Sequence, residues 1–477
     1  MRKLASAGAG ALVSGALLTA SMPPADLGML SWLCMAPLLI GVRGSGFVVG
    51  SLAALGAALI AAWLSVIGVF YPGVARLDET AAWHYVGFFL FSLSMVAVAG
   101  IWADLKTTSR WVWLWLPAIA VVAEATLLLY LPAHLGLAHY RSPFLLKLAS
   151  FTGIWGVSYL VWASNVRVAM AFADGRLRER SKLLAARTLD LSLLAVILAA
   201  MVWRFPPPAP GALGEGKHGQ MLLAAIQTLS HEPDQLDRLH RQAAAHEPEF
   251  VVWPELSASG WVVGGDVGEL QKVSEQGVAF VTSYPRLEGG SLPYNVSTLF
   301  VEGKALGNYR KRKLFGGERS MHLPGSKPTS ARFRKGDVGL LVCFDSCFPY
   351  IVRETASLPG VNSISLPSMG PESPFGVMQA VHGAFTPFRA AENGVAIARG
   401  ESSAFAQIVD GDGRIVAEAP AGFEGAIAGW VSDRPRWTFY KVAGDWFLGV
   451  CVVVTLIVGA TAILRQRNEA VPGRSDT

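Results

Sequence analysis

The sequence predicts a polytopic α-helical membrane domain joined to a water-facing α/β domain, and three observations predict it. Of 477 residues, 52% are hydrophobic and only 16% are charged, where an ordinary soluble domain carries about 25% charged residues. The shortfall is concentrated before Phe205 and after Trp446, while the stretch between them alternates short apolar runs with polar ones. Basic residues recur on alternate loops between the long apolar segments, the pattern left by membrane orientation.

A spanning helix needs about 20 apolar residues. Residues 4–20, 27–42, 47–70, 83–103, 111–131, 145–172, 189–203 and 446–464 are candidate spans, the first two short enough to form a helical hairpin. Met1-Arg2-Lys3 followed by apolar residues is read as a retained first span rather than a cleaved signal. Arg2 and Lys3, then Arg43, then Lys106 and Arg110, then Arg176, Arg178, Arg180, Lys182 and Arg187, and finally Arg465 and Arg467 fall on alternate loops. One topology explains them all, with both termini in the cytoplasm; Arg141 and Lys147 are minor exceptions. The expected organisation is a transmembrane domain of about seven spans over 1–205, an extracytoplasmic domain over 206–441, and a last helix with a cytoplasmic tail over 442–477. Trp437 and Tyr440 then fall at the membrane–water boundary, where aromatics concentrate. The net charge of +5 fits membrane orientation, and no nucleic-acid motif accompanies it, so nucleic acid is not an expected partner.

The middle segment opens with the linker Pro206-Pro207-Pro208-Ala209-Pro210. Strands are expected at 221–226, 250–253, 278–283, 297–301, 338–342, 362–366, 396–398, 404–409 and 415–417, with helices at 231–246 and 382–393. Strands interleaved with helices give an α/β fold.

Three segments place a reactive side chain just after an expected strand: Val251-Val252-Trp253-Pro254-Glu255, Asn308-Tyr309-Arg310-Lys311 and Leu341-Val342-Cys343-Phe344-Asp345. Taken singly, each is ordinary: a loop carboxylate, a member of a basic run, a core thiol. Together they supply nucleophilic acyl transfer. A thiol attacks only as thiolate, so it needs a base. Glu255 can take the proton and return it to the leaving group, given a pKa raised by burial. Lys311 can stabilise the tetrahedral oxyanion beside a backbone N–H next to Cys343. An acyl group would pass through a Cys343 thioester to a second nucleophile. Cys34 and Cys451 lie in apolar stretches, and Cys347 is read as a buried bystander, although a Cys343–Cys347 disulfide would silence the nucleophile. Glu124, inside an apolar span, is either functional or paired within the bundle. His382 is read as a packed helix residue, and no metal-ligand cluster has a recognisable spacing.

With those residues in place, the chain resembles the nitrilase superfamily of carbon–nitrogen hydrolases, which carries Glu, Lys and Cys in this order on an α/β/β/α sandwich. Tyr294-Asn295, Phe388-Arg389-Ala390-Ala391-Glu392-Asn393-Gly394 and Asp412-Gly413-Arg414 extend the likeness. The membrane half narrows it. Pro23-Pro24 with Leu30-Ser31-Trp32 and Ala36-Pro37-Leu38-Leu39, the run Phe151-Thr152-Gly153-Ile154-Trp155-Gly156-Val157-Ser158 with Asn165, and Thr438-Phe439-Tyr440 with Gly444-Asp445-Trp446 look like the apolipoprotein N-acyltransferase family.

That resemblance implies an acyltransferase without cofactor in the bacterial inner membrane. It would move an acyl chain from a phospholipid to the N-terminal amine of a diacylglyceryl-modified apolipoprotein. Cys343 would be the acylated nucleophile, Glu255 the base, Lys311 the oxyanion partner, and Glu318, in Phe315-Gly316-Gly317-Glu318, a second glutamate near the site. The chain departs from the family's Cys-Tyr-Glu at Phe344 and Asp345, losing a hydroxyl and shortening the acid by one methylene. It also lacks the family's proline before Phe-Gly-Glu and a tryptophan after Gln227, and its arm between Glu318 and Cys343 is short. Two other functions use the same residues: a membrane-tethered amidase, or a degenerate nitrilase-like scaffold in envelope or conjugation machinery.

Overall fold

The computed structural model describes residues 1–66, 93–105, 111–126, 132, 134–173, 216, 218–262, 265–275, 277–334, 336–370, 377–420 and 422–470. The expected span at 189–203, the basic cluster from Arg176 to Arg187 and the proline linker lie outside these residues, as do parts of the expected spans at 47–70, 83–103 and 111–131.

Among the described residues up to Ala173 the regular structure is helical. Helices α1 (Arg2–Ser21), α2 (Ala36–Val42), α3 (Phe47–Val66), α4 (Leu93–Asp104), α5 (Val112–Thr126), α6 (Pro143–Thr152) and α7 (Ile154–Ala173) are strongly apolar. Small residues let their backbones approach. A Cβ on Gly15 would lie 2.7 Å from Ala57 O in α3, and one on Gly50 would lie 2.5 Å from Ala99 O in α4. Lys3 Nζ donates to Gly44 O at 2.7 Å and Arg43 Nη1 to Trp102 O at 3.0 Å, so the first two basic clusters and the end of α4 share one end of the bundle.

Two expected spans are not single helices. Residues 27–42 form a 3-10 turn, Gly28–Trp32, and the seven-residue α2, which at about 1.5 Å per residue is far too short to cross a bilayer. Buried Asn165 on α7 holds that break: its Oδ1 accepts from the backbone N–H groups of Met35 and Ala36 at 2.7 and 3.0 Å, and its Nδ2 donates to Ser31 O at 2.8 Å. The expected span at 145–172 is likewise α6 and α7, bent by 118°. Gly153 makes the bend with φ +68°, and its missing side chain admits the Tyr440 ring, 2.7 Å from where a Cβ would stand. Among the described residues, α1, α3 and the C-terminal helix are long and apolar enough to cross a membrane, and the bent pair is a fourth candidate.

The α/β part follows the expected strands and adds others. In chain order they are β1 (Gln220–Gln227), α8 (Pro233–Ala244), β2 (Phe250–Val252), α9 (Gly268–Glu275), β3 (Ala279–Arg286), β4 (Tyr294–Val301), β5 (Lys304–Arg310), β6 (Thr329–Phe333), β7 (Gly336–Leu340), α10 (Pro349–Ala356), β8 (Val361–Ser368), α11 (Val377–Asn393), β9 (Ala396–Glu401), β10 (Gln407–Val409), β11 (Ile415–Glu418) and β12 (Gly425–Ser432). One sheet runs β5-β4-β3-β2-β1-β12 and the other β6-β7-β8-β9-β10-β11. Strand pairing links them only at Gln227↔Glu401. The inner strands are parallel and the outer ones antiparallel. Alternation along β1 assigns the faces. Leu223 and Ala225 join the core shared with the second sheet, while Ala224 and Ile226 pack with Leu236 and Leu239 of α8. With α10 and α11 against the second sheet, the layers are α/β/β/α, the nitrilase-like sandwich expected.

After β12 come α12 (Phe439–Ala443) and α13 (Trp446–Ala470), and α13 packs back on α5 and α7. Its outer face, with Val453, Leu456 and Ile457, is exposed, as a lipid-facing helix requires. Substituting Gly153 by Ala should cost about 1–3 kcal/mol through overpacking against Tyr440, with left-handed strain added. A thermal midpoint in detergent lower than wild type is the expected reading.

Candidate active site

Each of the three reactive side chains leaves the end of a strand. Glu255 follows β2, and its N–H donates to Ser368 O at 3.1 Å. Lys311 follows β5, with its N–H bonded to Asn295 O at 2.9 Å. Cys343 stands two residues beyond Leu341, whose N–H bonds to Ser365 O in β8. The sheets thus fix all three backbones, and the structure brings the side chains together in the interior: Glu255 and Lys311 are fully buried and Cys343 is 5% exposed.

Lys311 Nζ is the hub. It donates to Glu255 Oε1 at 2.8 Å and to Glu318 Oε1 at 2.6 Å. Glu318 sits in the 3-10 turn Gly316–Ser320 and accepts the Phe315 N–H on its other oxygen at 3.1 Å. A buried ammonium between two carboxylates is held by charge pairing. Burial works against its charge, but Glu255, Cys343 and Glu318 together raise its pKa above the ordinary lysine value. Asn295 Nδ2 adds a second bond to Glu255 Oε1, at 2.7 Å.

Glu255 Oε2 is buried and meets no described residue in hydrogen-bond geometry. Burial raises the pKa of this carboxyl, while Lys311 and the nearby Cys343 thiol pull it down. The Cys343 thiol is pushed well above its ordinary value, first by burial and then by Glu255. At rest it is therefore a thiol, and it requires a base. Its Sγ donates to Met369 O at 3.5 Å. Cys343 holds φ +48°, a left-handed conformation that costs a side-chain-bearing residue energy and persists where surrounding contacts over-determine it.

Asp345 and Phe344 support the turn from two sides. Asp345 Oδ2 accepts the Tyr309 hydroxyl at 2.8 Å, and Oδ1 accepts the N–H groups of Lys313 and Arg312 at 2.8 and 3.2 Å. The Cys343 turn is thereby tied to the segment that carries Lys311. Burial lifts the Asp345 carboxyl to about 6, against the Tyr309 hydrogen bond. The Phe344 ring meets Phe315 edge-on at 5.0 Å, next to the Glu318 turn.

All four cysteines are free thiols, so the Cys343–Cys347 disulfide does not form, and Cys347 is buried. Glu124 is paired inside the bundle, with Trp162 Nε1 at 2.8 Å and His134 Nδ1 at 3.5 Å. Arg141 pairs with Glu418 at 2.6 Å and with Asp26 at 3.5 Å. His382 is buried, and it packs against the Cys343 turn. Asn295 stood out only as part of the Tyr294-Asn295 likeness, without a role, and the sequence carried no local signal for the contributions of Tyr309 or Met369, because each reaches the site through a strand pairing or loop contact formed only by folding.

Removing Lys311 by Lys311→Met leaves the buried Glu255 carboxylate unpaired and facing the partly exposed Glu318, and should cost about 3–5 kcal/mol, read as a drop in the denaturation midpoint. Asp345→Ala removes the hydrogen bonds to a buried carboxylate and should cost at least about 1.5–3 kcal/mol on the same measurement.

Two family models match the chain. The one described as carbon-nitrogen hydrolase covers residues 222–432, and the one described as apolipoprotein N-acyltransferase N-terminal domain covers residues 14–167. An apolipoprotein N-acyltransferase of Geobacter metallireducens is 26% identical over 96% of this chain and 95% of its own length. Apolipoprotein N-acyltransferase 1 of Treponema denticola is 21% identical over 68% of this chain and 71% of its own. An (R)-stereoselective amidase of Pseudomonas sp is 30% identical over 36% of this chain and 68% of its own. Among solved structures, an amidase from Nesterenkonia sp. AN1 covers 50% of this chain and 98% of its own at 23% identity, with a TM-score of 0.43.

Proposed function

Because the chain belongs to the apolipoprotein N-acyltransferase family, we propose that it transfers an acyl chain from a phospholipid, through a thioester on Cys343, to the N-terminal amine of a diacylglyceryl-modified apolipoprotein. The observation that carries the reading is the buried Glu255–Lys311–Glu318 cluster beside a strained Cys343. That site lies in a carbon–nitrogen hydrolase superfamily acyltransferase that carries apolar helices among its described residues before Ala173.

The steps follow from the geometry. Glu255 takes the thiol proton on Oε2, and the sulfur attacks the ester carbonyl of the donor. Lys311 and a backbone N–H beside Cys343 meet the developing oxyanion. The intermediate collapses, the C–O bond breaks, and Glu255 returns the proton to the departing lysophospholipid alcohol. The acceptor amine then attacks the thioester and gives a proton to Glu255. Collapse forms the amide and expels the sulfur, which recovers its proton. Glu318 anchors Lys311 rather than touching substrate, and Phe344 and Asp345 hold the turn.

We assign 1–205 to the membrane domain, 206–441 to the catalytic domain, and 442–477 to the last helix and tail. The catalytic domain would face the outer side of the inner membrane, where both lipid substrates would reach it. Anchoring it there concentrates and orients the donor, a proximity effect.

Incubation with phospholipid alone should add one acyl mass to the peptide containing Cys343, and Cys343→Ala should abolish the adduct. Release of ammonia or free acid, with no transfer to a lipoprotein amine, would instead favour amidase chemistry. Glu255→Gln should slow thioester formation by about 10²–10⁴. Only the ionised carboxylate accepts a proton, so the wild-type rate should climb with pH. Burial raises the Glu255 pKa, so the midpoint of that climb should lie above the ordinary carboxylate range, measured as acylation rate against pH.

A further inference from the structure

Beside the triad lies a buried chain of polar groups to which the proposed chemistry assigns no role: His382 on α11, with Arg399 and Glu401 on β9. Arg399 and Glu401 are fully buried and His382 is 7% exposed. Arg399 Nη2 meets His382 Nδ1 at 3.1 Å, and Nη1 donates to His382 O at 3.1 Å. A guanidinium can only donate, so Nδ1 is the acceptor and the ring proton sits on Nε2. That nitrogen lies 3.2 Å from Cys343 O. Ser346 Oγ donates to the same carbonyl at 2.8 Å. On its other side Arg399 pairs with Glu401, its Nε donating to Oε2 at 3.1 Å. Glu401 Oε1 accepts the Gly370 N–H at 2.8 Å.

The two ends of this chain grip two peptide planes. A trans peptide is rigid, with its C=O and N–H pointing in opposite directions. Fixing Cys343 O therefore fixes the direction of the Phe344 N–H, which donates to no protein acceptor among the described residues. Fixing the Gly370 N–H likewise fixes Met369 O, the acceptor that the Cys343 thiol meets. Both planes flank the reacting sulfur, and Arg399 links them. The left-handed Cys343 needs such outside restraint.

The geometry points to His382, Arg399 and Glu401 as positioning residues that aim the Phe344 N–H at the oxyanion and Met369 O at the thiol during acylation of Cys343. This rests on the thioester reading above and adds to it the source of the oxyanion donor's alignment. Burial and Arg399 hold the imidazole neutral, consistent with one ring proton delivered to Cys343 O.

The test compares the full-length protein in detergent with His382→Leu, which removes the ring donor, and His382→Gln, whose side-chain amide can restore an N–H at that place. Three readouts separate positioning from packing. The first is the rate of Cys343 acylation by a short-chain phosphatidylethanolamine, followed by intact mass. The second is affinity for a fatty aldehyde, in which the sulfur adds to the carbonyl carbon and the thiol proton passes to its oxygen, a mimic of the tetrahedral state. The third is alkylation of Cys343 by iodoacetamide, a displacement at carbon that builds no oxyanion. In His382→Leu, acylation and aldehyde affinity should fall together by about 10- to 100-fold, alkylation should stay near the wild-type rate, and His382→Gln should recover part of the loss. Equal losses in all three readouts, or acylation and aldehyde affinity both unchanged in His382→Leu, would overturn the proposal. If His382→Leu does not fold, His382→Gln decides: aldehyde affinity reduced less than the rate of alkylation would also overturn it. A wild-type protein that binds the aldehyde yet never carries an acyl group would refute the thioester reading instead.

Discussion

Everything at the centre of this molecule is arranged around one buried ammonium. Lys311 Nζ stands between Glu255 and Glu318 with no solvent to screen it. A charge in such a place is tolerated only when its partners are held rigidly. The strand ends do that holding. Glu255 is tied through its backbone to the end of β8, Lys311 to β4, and the Cys343 turn to the Lys311 segment through Asp345. Strand pairing links the two sheets at Gln227 with Glu401, and the Glu255 N–H to Ser368 O bond crosses between them at this cluster. In the mechanism proposed above, the same lysine that balances the carboxylates at rest would meet the negative charge appearing on a substrate oxygen.

The departures at Phe344 and Asp345 look different once their contacts are known. The shorter acid still gathers four donors, because Tyr309 reaches it from β5, the chain after Lys311 folds two N–H groups onto it, and the Val342 N–H adds a longer bond. The phenylalanine, without a hydroxyl, packs edge-on against Phe315 and Phe348. An aromatic wall thus runs from the nucleophile turn to the Glu318 turn.

Much of the fold was legible because it is written in short-range pattern. Apolar runs bounded by turn residues located β1, β2, β8 and α11 to within a few residues. The order Glu255, Lys311, Cys343 was enough to single out three side chains that the structure brings together. Strands β6 and β12 escaped notice, and β5 was read only in its last residues before Lys311, because exposed or small residues such as Lys304, Gly425 and Gly429 interrupt the alternation, and neighbouring strands stabilise them instead. The breaks at 33–35 and at Gly153 were hidden for a related reason. Hydropathy records whether a segment is apolar, not whether its axis turns, and both turns depend on distant groups, Asn165 in one case and Tyr440 in the other. His382 was correctly read as a packed helix residue, yet what it packs against lies 39 residues away in the chain.

The junction between the two halves is made by the far end of α11. Glu392 Oε1 accepts the N–H of Ile154, the first residue of α7, at 2.8 Å, and Thr438 Oγ1 donates to Glu392 O at 2.6 Å just before α12. Ten residues separate Glu392 from His382, about 15 Å of helix. That helix is a strut between the level at which α7 begins and the sulfur of Cys343. One helix thus joins the first residue of α7 to the carbonyl of Cys343, with a hydrogen bond at each end.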